Sequence, residues 1–208
     1  MRREVSVLRQ TATMAADNEV VLVRHGETEW SASGRHTSFT DVALTATGRD
    51  QAAALRSRLA TWHFALILTS PRRRACDTCS LAGLLDRAEV TDDLAEWNYG
   101  EYEGRTTADI RREAPGWTIF SGNPPGGETA LDVTARADRV LARAVDADGP
   151  VALFSHGHFL RVLGARWIAL DASGGRLLGL DTATLSVLGH ERDQRVLRVW
   201  NAGGDAAA

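Results

Sequence analysis

Arg24-His25-Gly26-Glu27 follows directly on the apolar run Val20-Val21-Leu22-Val23. An imidazole in that setting can attack an electrophile, and an adjacent guanidinium can hold an anion. A second run, Val151-Ala152-Leu153-Phe154-Ser155, ends in His156-Gly157-His158 and offers a histidine in the same way. Arg72-Arg73-Arg74 supplies more positive charge just after Ser70-Pro71. Arginines are disfavoured in the first turn of a helix, where the amides are unpaired and the macrodipole is positive, so a negative group is expected nearby. Arg74, followed by Ala75 and Thr78, is the one expected to point inward. Phosphoryl transfer through a histidine also needs a proton donor for the leaving oxygen. Glu96, Glu101 and Glu103, within Leu94 to Gly104, are equal candidates by residue type. Either histidine alone reads equally well as an ordinary strand-end residue or as a functional one. Two such strand ends with Arg24 alongside favour a functional site.

The elements needed to position these groups are those of an α/β chain. Val20 to Val23 and Pro150 to Ser155 read as short buried strands, and Gly26 is expected to let the backbone turn where the first one stops. Thr28 to Thr45 is too irregular for helix or strand and reads as a functional loop. Thr45 caps a helix from about 48 to 61, with Ala52, Leu55 and Leu59 on one face. Phe64 to Leu68 is a strand, and the following helix is expected to use Ser70 as its cap and Pro71 as its first residue. A short strand falls around 88–90. The segment 92–127 is rich in Gly, Trp and acids and is expected to form a lid-like insert with one helix near 107–113. Amphipathic helices follow at about 129–145 and 159–170. Ala183 to Leu188 and Arg195 to Val199 close the chain as an antiparallel pair. Strands alternating with helices predict a three-layer α/β sandwich, its mainly parallel sheet covered on both faces. The single domain is expected to span 18–202. Met1 to Asp17 reads as a flexible leader with Met14 as initiator, and 203–208 as a disordered tail.

Composition narrows the chemistry further. With 208 residues, 44% hydrophobic and 25% charged, the chain can bury a substantial core, and a net charge of -3 argues against a general nucleic-acid binder. All 24 basic residues are arginine. That excludes a Schiff-base lysine and a P-loop lysine. Cys76 and Cys79 lie on the same predicted helix without a second pair to complete a zinc site, which fits two small packing residues and a reducing cytoplasm. No apolar run is long enough to span a membrane. The expected location is cytoplasmic; a homodimer is left open.

The motifs RHGETEW, LTATGRDQA, SPRRRACDT, LAEWNYGEYEG and SHGHFLR, in this order between about Val20 and Ala169, resemble the histidine phosphatase superfamily. The chain is more closely similar to its phosphoglycerate-mutase-like branch, in particular to small actinobacterial acid phosphatases and sedoheptulose bisphosphatase. The resemblance implies a metal-free phosphomonoesterase with no cofactor, acting on a small phosphorylated substrate. It implies that His25 is the nucleophile that becomes phosphohistidine. Arg24, Arg74 and His156 would hold the phosphoryl oxygens, with His156 protonated and acidic pH favoured. Glu96 would be the general acid. Ser31 and Thr37 would lie near phosphate and substrate, with Gly157 and His158 also contributing to substrate binding. True mutases carry Asn where this chain has Ser31, Ser-Gly where it has Thr37-Ser38, and Asn where it has His158. They also have a longer insert. The shorter one favours water over return of the phosphoryl group, so hydrolysis is preferred to phosphoglycerate mutase activity. A silent module that binds phosphorylated ligands would lack the nucleophile, which is present. Trp97, Tyr99, Tyr102 and Trp117 are read either as lining the substrate entrance or as packing.

Overall fold

The two strands that carry the histidines are neighbours in parallel register. Strand β1 (Val20–Arg24) pairs with β4 (Val151–Ser155), matching Val20 with Val151 and Arg24 with Ser155. His25 and His156 therefore leave the sheet side by side, and the His25 amide donates to the Ser155 carbonyl at 3.0 Å. The computed structural model describes residues 19–203. The predicted leader, Met14 and the tail beyond Gly203 lie outside the described residues.

The remaining elements in chain order are α1 (Glu29–Ala32), α2 (Ala46–Leu59), β2 (Leu66–Thr69), α3 (Arg73–Leu81), β3 (Glu89–Val90), α4 (Thr107–Glu113), α5 (Ala130–Val145), α6 (Gly157–Trp167), β5 (Leu185–Glu191) and β6 (Gln194–Ala202). The six-stranded sheet has the order β3-β2-β4-β1-β5-β6. The first four strands in that order are parallel, and β5 and β6 are antiparallel. Side chains alternate across the sheet, as the pleat requires. Val20, Leu22, Val151 and Leu153 join one core with α5 and α6. Val21, Val23, Ala152 and Phe154 join a second core with Leu55, Leu59 and Cys79 of α2 and α3. These two cores separate three layers, the arrangement predicted.

Three local expectations are corrected. Residues 28–45 are not wholly irregular: α1 forms there, because Thr28 and Ser31 satisfy each other's backbone amides in a capping box. Helix α3 begins at Arg73, not at Pro71, and Ser70 is not its cap. The Arg73 amide is instead taken by the Asp41 carboxylate at 2.8 Å, so part of the negative charge expected near the three arginines comes from this chain. Gly26 does not adopt a positive φ. Glycine is required there because a Cβ would lie 2.3 Å from the Gly48 carbonyl oxygen at the start of α2.

Candidate active site

A cleft of about 230 Å³ opens over the carboxyl ends of β1 and β4, lined by Arg24, His25, Glu96, Gly157, His158 and residues of the loop that follows α1. Open α/β sheets place ligands at this edge. His25 is buried, and its Nδ1 lies 2.7 Å from the Gly26 carbonyl oxygen. A carbonyl can only accept, so Nδ1 carries the hydrogen. Burial, followed by the charges of Arg74 and Arg24, holds the ring well below the ordinary histidine pKa. His25 is thus a neutral imidazole whose Nε2 lone pair has no partner among the described residues.

Arg24 donates through Nη1 to the Leu180 carbonyl at 2.5 Å, while its Nε is buried without a hydrogen-bond partner. A buried cationic donor left unpaired is costly, which marks this edge of the guanidinium as a place for an anion. Gly157 lets the guanidinium lie close: a Cβ there would sit 3.3 Å from Cζ and Nε of Arg24. Arg74 is fully buried. Its Nε donates to His156 Nδ1 at 3.2 Å, and its Nη groups donate to the carbonyls of Thr37, Ser38 and Thr40, each at 3.0 Å. The loop 37–40 is held in turn by the Glu103 carboxylate, which accepts from the Ser38 and Thr40 amides.

The protonated His156 expected from the sequence is not what the structure holds. Its Nδ1 accepts from Arg74 and its Nε2 donates to Ser70 Oγ at 2.7 Å. Burial, followed by the neighbouring cations, keeps the ring neutral and well below its ordinary value. The His25 and His156 rings meet edge to face with centroids 5.2 Å apart. Ser70 Oγ serves both His156 and the Arg72 amide, from which it accepts at 3.3 Å, while the cap position of α3 itself falls to Arg72.

Glu96 is buried against the amino end of α6. Its Oε1 accepts from the Trp97 and Phe159 amides at 2.9 and 2.8 Å, and its Oε2 from the His158 amide at 3.0 Å. Those α6 amides are among the unpaired donors of a helix start, and Glu96 supplies their acceptor. Glu101 is exposed and lies outside the cleft lining, and Glu103 is occupied with the 37–40 loop. Of the acids that the sequence could not rank, Glu96 is the one at the cleft.

Ser31 and Thr37 both line the cleft. Ser31 Oγ is committed to Thr28, accepting from its amide and donating to its carbonyl, and Thr37 Oγ1 donates to the Arg35 carbonyl. His158 Nδ1 and the Tyr99 hydroxyl share a hydrogen bond of 2.6 Å, and burial pulls the His158 pKa well below its ordinary value. Tyr99 is the aromatic of the acidic segment that reaches the cleft, whereas Trp97 lies in the core and Trp117 packs edge-on against Tyr102 at 5.2 Å. Sequence reasoning did not assign Arg35, His36, Thr107, Arg161 or Leu180, all of which line the cleft. His36 is buried, and burial pulls its pKa down to about 4. Arg161 sits within the SHGHFLR motif, so a signal for it was present. It donates to the Gly175 and Arg176 carbonyls and lies 4.6 Å from the Phe120 ring centre. Among the described residues no group of three or more His, Cys, Asp or Glu side chains is placed to hold a metal ion.

Comparison with known proteins places the chain in a family. Residues 20–203 match the model of the histidine phosphatase superfamily (branch 1). The chain is 41% identical over 192 residues to an acid phosphatase of Mycobacterium tuberculosis, an alignment covering 90% of this chain and 94% of that one. It is 36% identical over 185 residues to sedoheptulose 1,7-bisphosphatase of Saccharomyces cerevisiae, covering 72% and 67%. The solved structure of the product of a Mycobacterium tuberculosis open reading frame superposes with a TM-score of 0.86 at 41% identity, covering 89% of this chain and 98% of that one. The match along nearly the whole described length, with Arg24, His25, Glu96 and His158 lining one cleft and Arg74 and His156 fully buried outside that lining, shows that the chain is a phosphatase belonging to the histidine phosphatase superfamily (branch 1).

Proposed function

We propose that the protein hydrolyses phosphomonoesters of small metabolites in two steps through a phosphohistidine on His25, with Glu96 as the proton shuttle and without a metal ion or cofactor. The observation that carries this reading is the neutral His25, whose Nδ1 is held by the Gly26 carbonyl, in the same cleft as Arg24 with its buried, unpartnered Nε. In the first step Nε2 attacks phosphorus and the ester P–O bond breaks. The leaving oxygen takes a proton from Glu96. Glu96 Oε2 accepts a single amide bond, which leaves a lone-pair site for that proton. In the second step Glu96 takes a proton from water, the resulting hydroxide attacks phosphorus, and inorganic phosphate leaves with neutral His25 restored. Charge building on the phosphoryl oxygens would be met by Arg24, whose Nε has no other partner, while the buried Arg74 adds positive charge from further back and, with Ser70, holds the neutral His156 ring in place. Arg35 and Arg161 give the cleft further positive charge for the rest of an anionic substrate.

His25→Ala should abolish hydrolysis of p-nitrophenyl phosphate while circular dichroism stays that of the parent. Protein quenched during turnover should carry acid-labile, alkali-stable phosphate on His25, and activity should survive EDTA. Phosphate found on a serine or cysteine, or activity lost to EDTA and restored by magnesium or zinc, would sink the mechanism.

A further inference from the structure

Arg24 is aimed from behind by the 180–184 loop. Its Nη1 bonds the Leu180 carbonyl, its amide donates to the Thr184 carbonyl at 3.4 Å, and the Ala183 amide donates to the carbonyls of both Arg24 and His25 at 3.1 Å. Ala183 holds a φ of 51°, a conformation that alanine adopts only when its surroundings impose it. Within the loop, Thr184 Oγ1 donates to the Asp181 carbonyl at 2.8 Å. Asp181 in turn is gripped from β6: its amide donates to Asn201 Oδ1 at 2.7 Å, and Asn201 Nδ2 donates to its Oδ2 at 2.8 Å. Asn201 reaches it because β6 is irregular there. Leu185 pairs with Ala202 and Val187 with Val199, so β6 carries one extra residue, and Asn201 stands at a φ of 57° with its amide on Ser186 Oγ at 2.9 Å. A bulge of this kind re-aims a side chain that a regular ladder would place elsewhere. Leu180, Asp181, Ala183, Thr184 and Asn201 all lie outside the five motifs.

We propose that Asn201 is a positioning residue for catalysis: its two-point clamp on Asp181 fixes the 180–184 loop, and the Leu180 carbonyl thereby fixes the direction of the Arg24 guanidinium. The proposal rests on the role assigned above to Arg24.

Asn201→Gly separates the clamp from the backbone, because glycine takes a positive φ without strain. The variant should keep the thermal midpoint of the parent. Its kcat/KM on p-nitrophenyl phosphate should fall by about tenfold to a hundredfold, the cost of a misplaced charge. Inhibition by inorganic phosphate should weaken in parallel. In an Arg24→Lys background, which keeps a charge at that position, the same change should add little, since both substitutions disturb one guanidinium. A folded Asn201→Gly with parental kcat/KM and phosphate inhibition, or losses that multiply with Arg24→Lys, would overturn the clamp. Should Asn201→Gly not fold, Asn201→Asp sets two carboxylates against each other. Adding Asp181→Asn restores a donor and an acceptor, and recovery of phosphate inhibition supports the clamp, whereas no recovery overturns it. If Arg24→Lys and Arg24→Ala retain full activity while His25→Ala is dead, the role of Arg24 itself fails and takes the clamp with it. If only Asn201→Gly is silent, the clamp alone fails.

Discussion

Glu96 and His25 divide the chemistry because the backbone treats them differently. His25 gives its Nδ1 hydrogen to a carbonyl and keeps a lone pair for attack, while Glu96 is surrounded by amide donors and keeps one free position on Oε2. A residue that moves a proton to the leaving oxygen matters in proportion to how poor the leaving group is. Glu96→Gln should therefore slow hydrolysis of a sugar phosphate by about a hundredfold to ten-thousandfold. It should slow p-nitrophenyl phosphate far less, because p-nitrophenolate leaves without a proton. Glu101→Gln and Glu103→Gln should show no such contrast, although Glu103→Gln loosens the loop that cages Arg74. Equal slowing of both substrates by Glu96→Gln would assign the acid elsewhere.

At the level of elements, the acid is held by a helix it does not belong to. Arg136 on α5 donates to the carbonyls of Asp93 and Ala95 at 2.9 Å and pairs with Glu128 at 2.8 Å. Glu128 accepts from the Asn98 amide at 2.8 Å, and its carbonyl accepts from the Trp97 indole at 2.9 Å. The backbone on both sides of Glu96 is thus tied to the start of α5. The Arg136 and Glu128 side chains are 12% and 22% exposed, so water screens the pair in part and the full cost of breaking a buried pair is not expected. Arg136→Met should destabilise the fold by about 1–3 kcal/mol, since it leaves a carboxylate and the carbonyls of Asp93, Ala95 and Glu96 short of a donor. It should also lower turnover on poor leaving groups more than on p-nitrophenyl phosphate. Urea unfolding and the two-substrate comparison measure these effects; an unchanged midpoint with unchanged selectivity would mean that α5 plays no part in holding the acid.

Across the whole molecule, the cost of the site appears in acid. His36 titrates in the folded protein near pH 4 but at its ordinary 6.5 when unfolded. The unfolded chain then binds more protons between those values, so the stability is complete above pH 6.5 and is lost as pH falls towards 4. His25, His156 and His158 are shifted in the same direction by burial, and their effects add to the slope. Urea midpoints measured from pH 7 to pH 4.5 should fall steadily, and His36→Gln should flatten part of that fall. A midpoint independent of pH over this range would contradict the burial of neutral imidazoles. Among the described residues, no helix is long and apolar enough to cross a membrane.

The sequence alone determined the layers and most of the machinery, because both are written in short-range patterns. Apolar runs of strand length ended in His25 and His156, Thr45 marked the start of α2, and helical periodicity marked α5; each depends on residues a few positions apart. Order and spacing of the five motifs carried the resemblance, and the resemblance singled out Glu96. What only the tertiary structure decided is where separate segments meet. Ser70 reads locally as a helix cap, yet it is claimed by His156, 86 residues away. Gly26 reads as a turn residue, yet glycine is required by the backbone of Gly48. His156 carries a proton in the expectation drawn from the motif, yet Arg74 and burial keep it neutral in the folded chain. His36 and the Asn201–Asp181 clamp had no distinguishing local pattern, since their roles come from the segments packed around them. Local propensity and periodicity survive in a linear chain; desolvation, hydrogen-bond competition and close backbone approach exist only once distant segments share the same few ångströms.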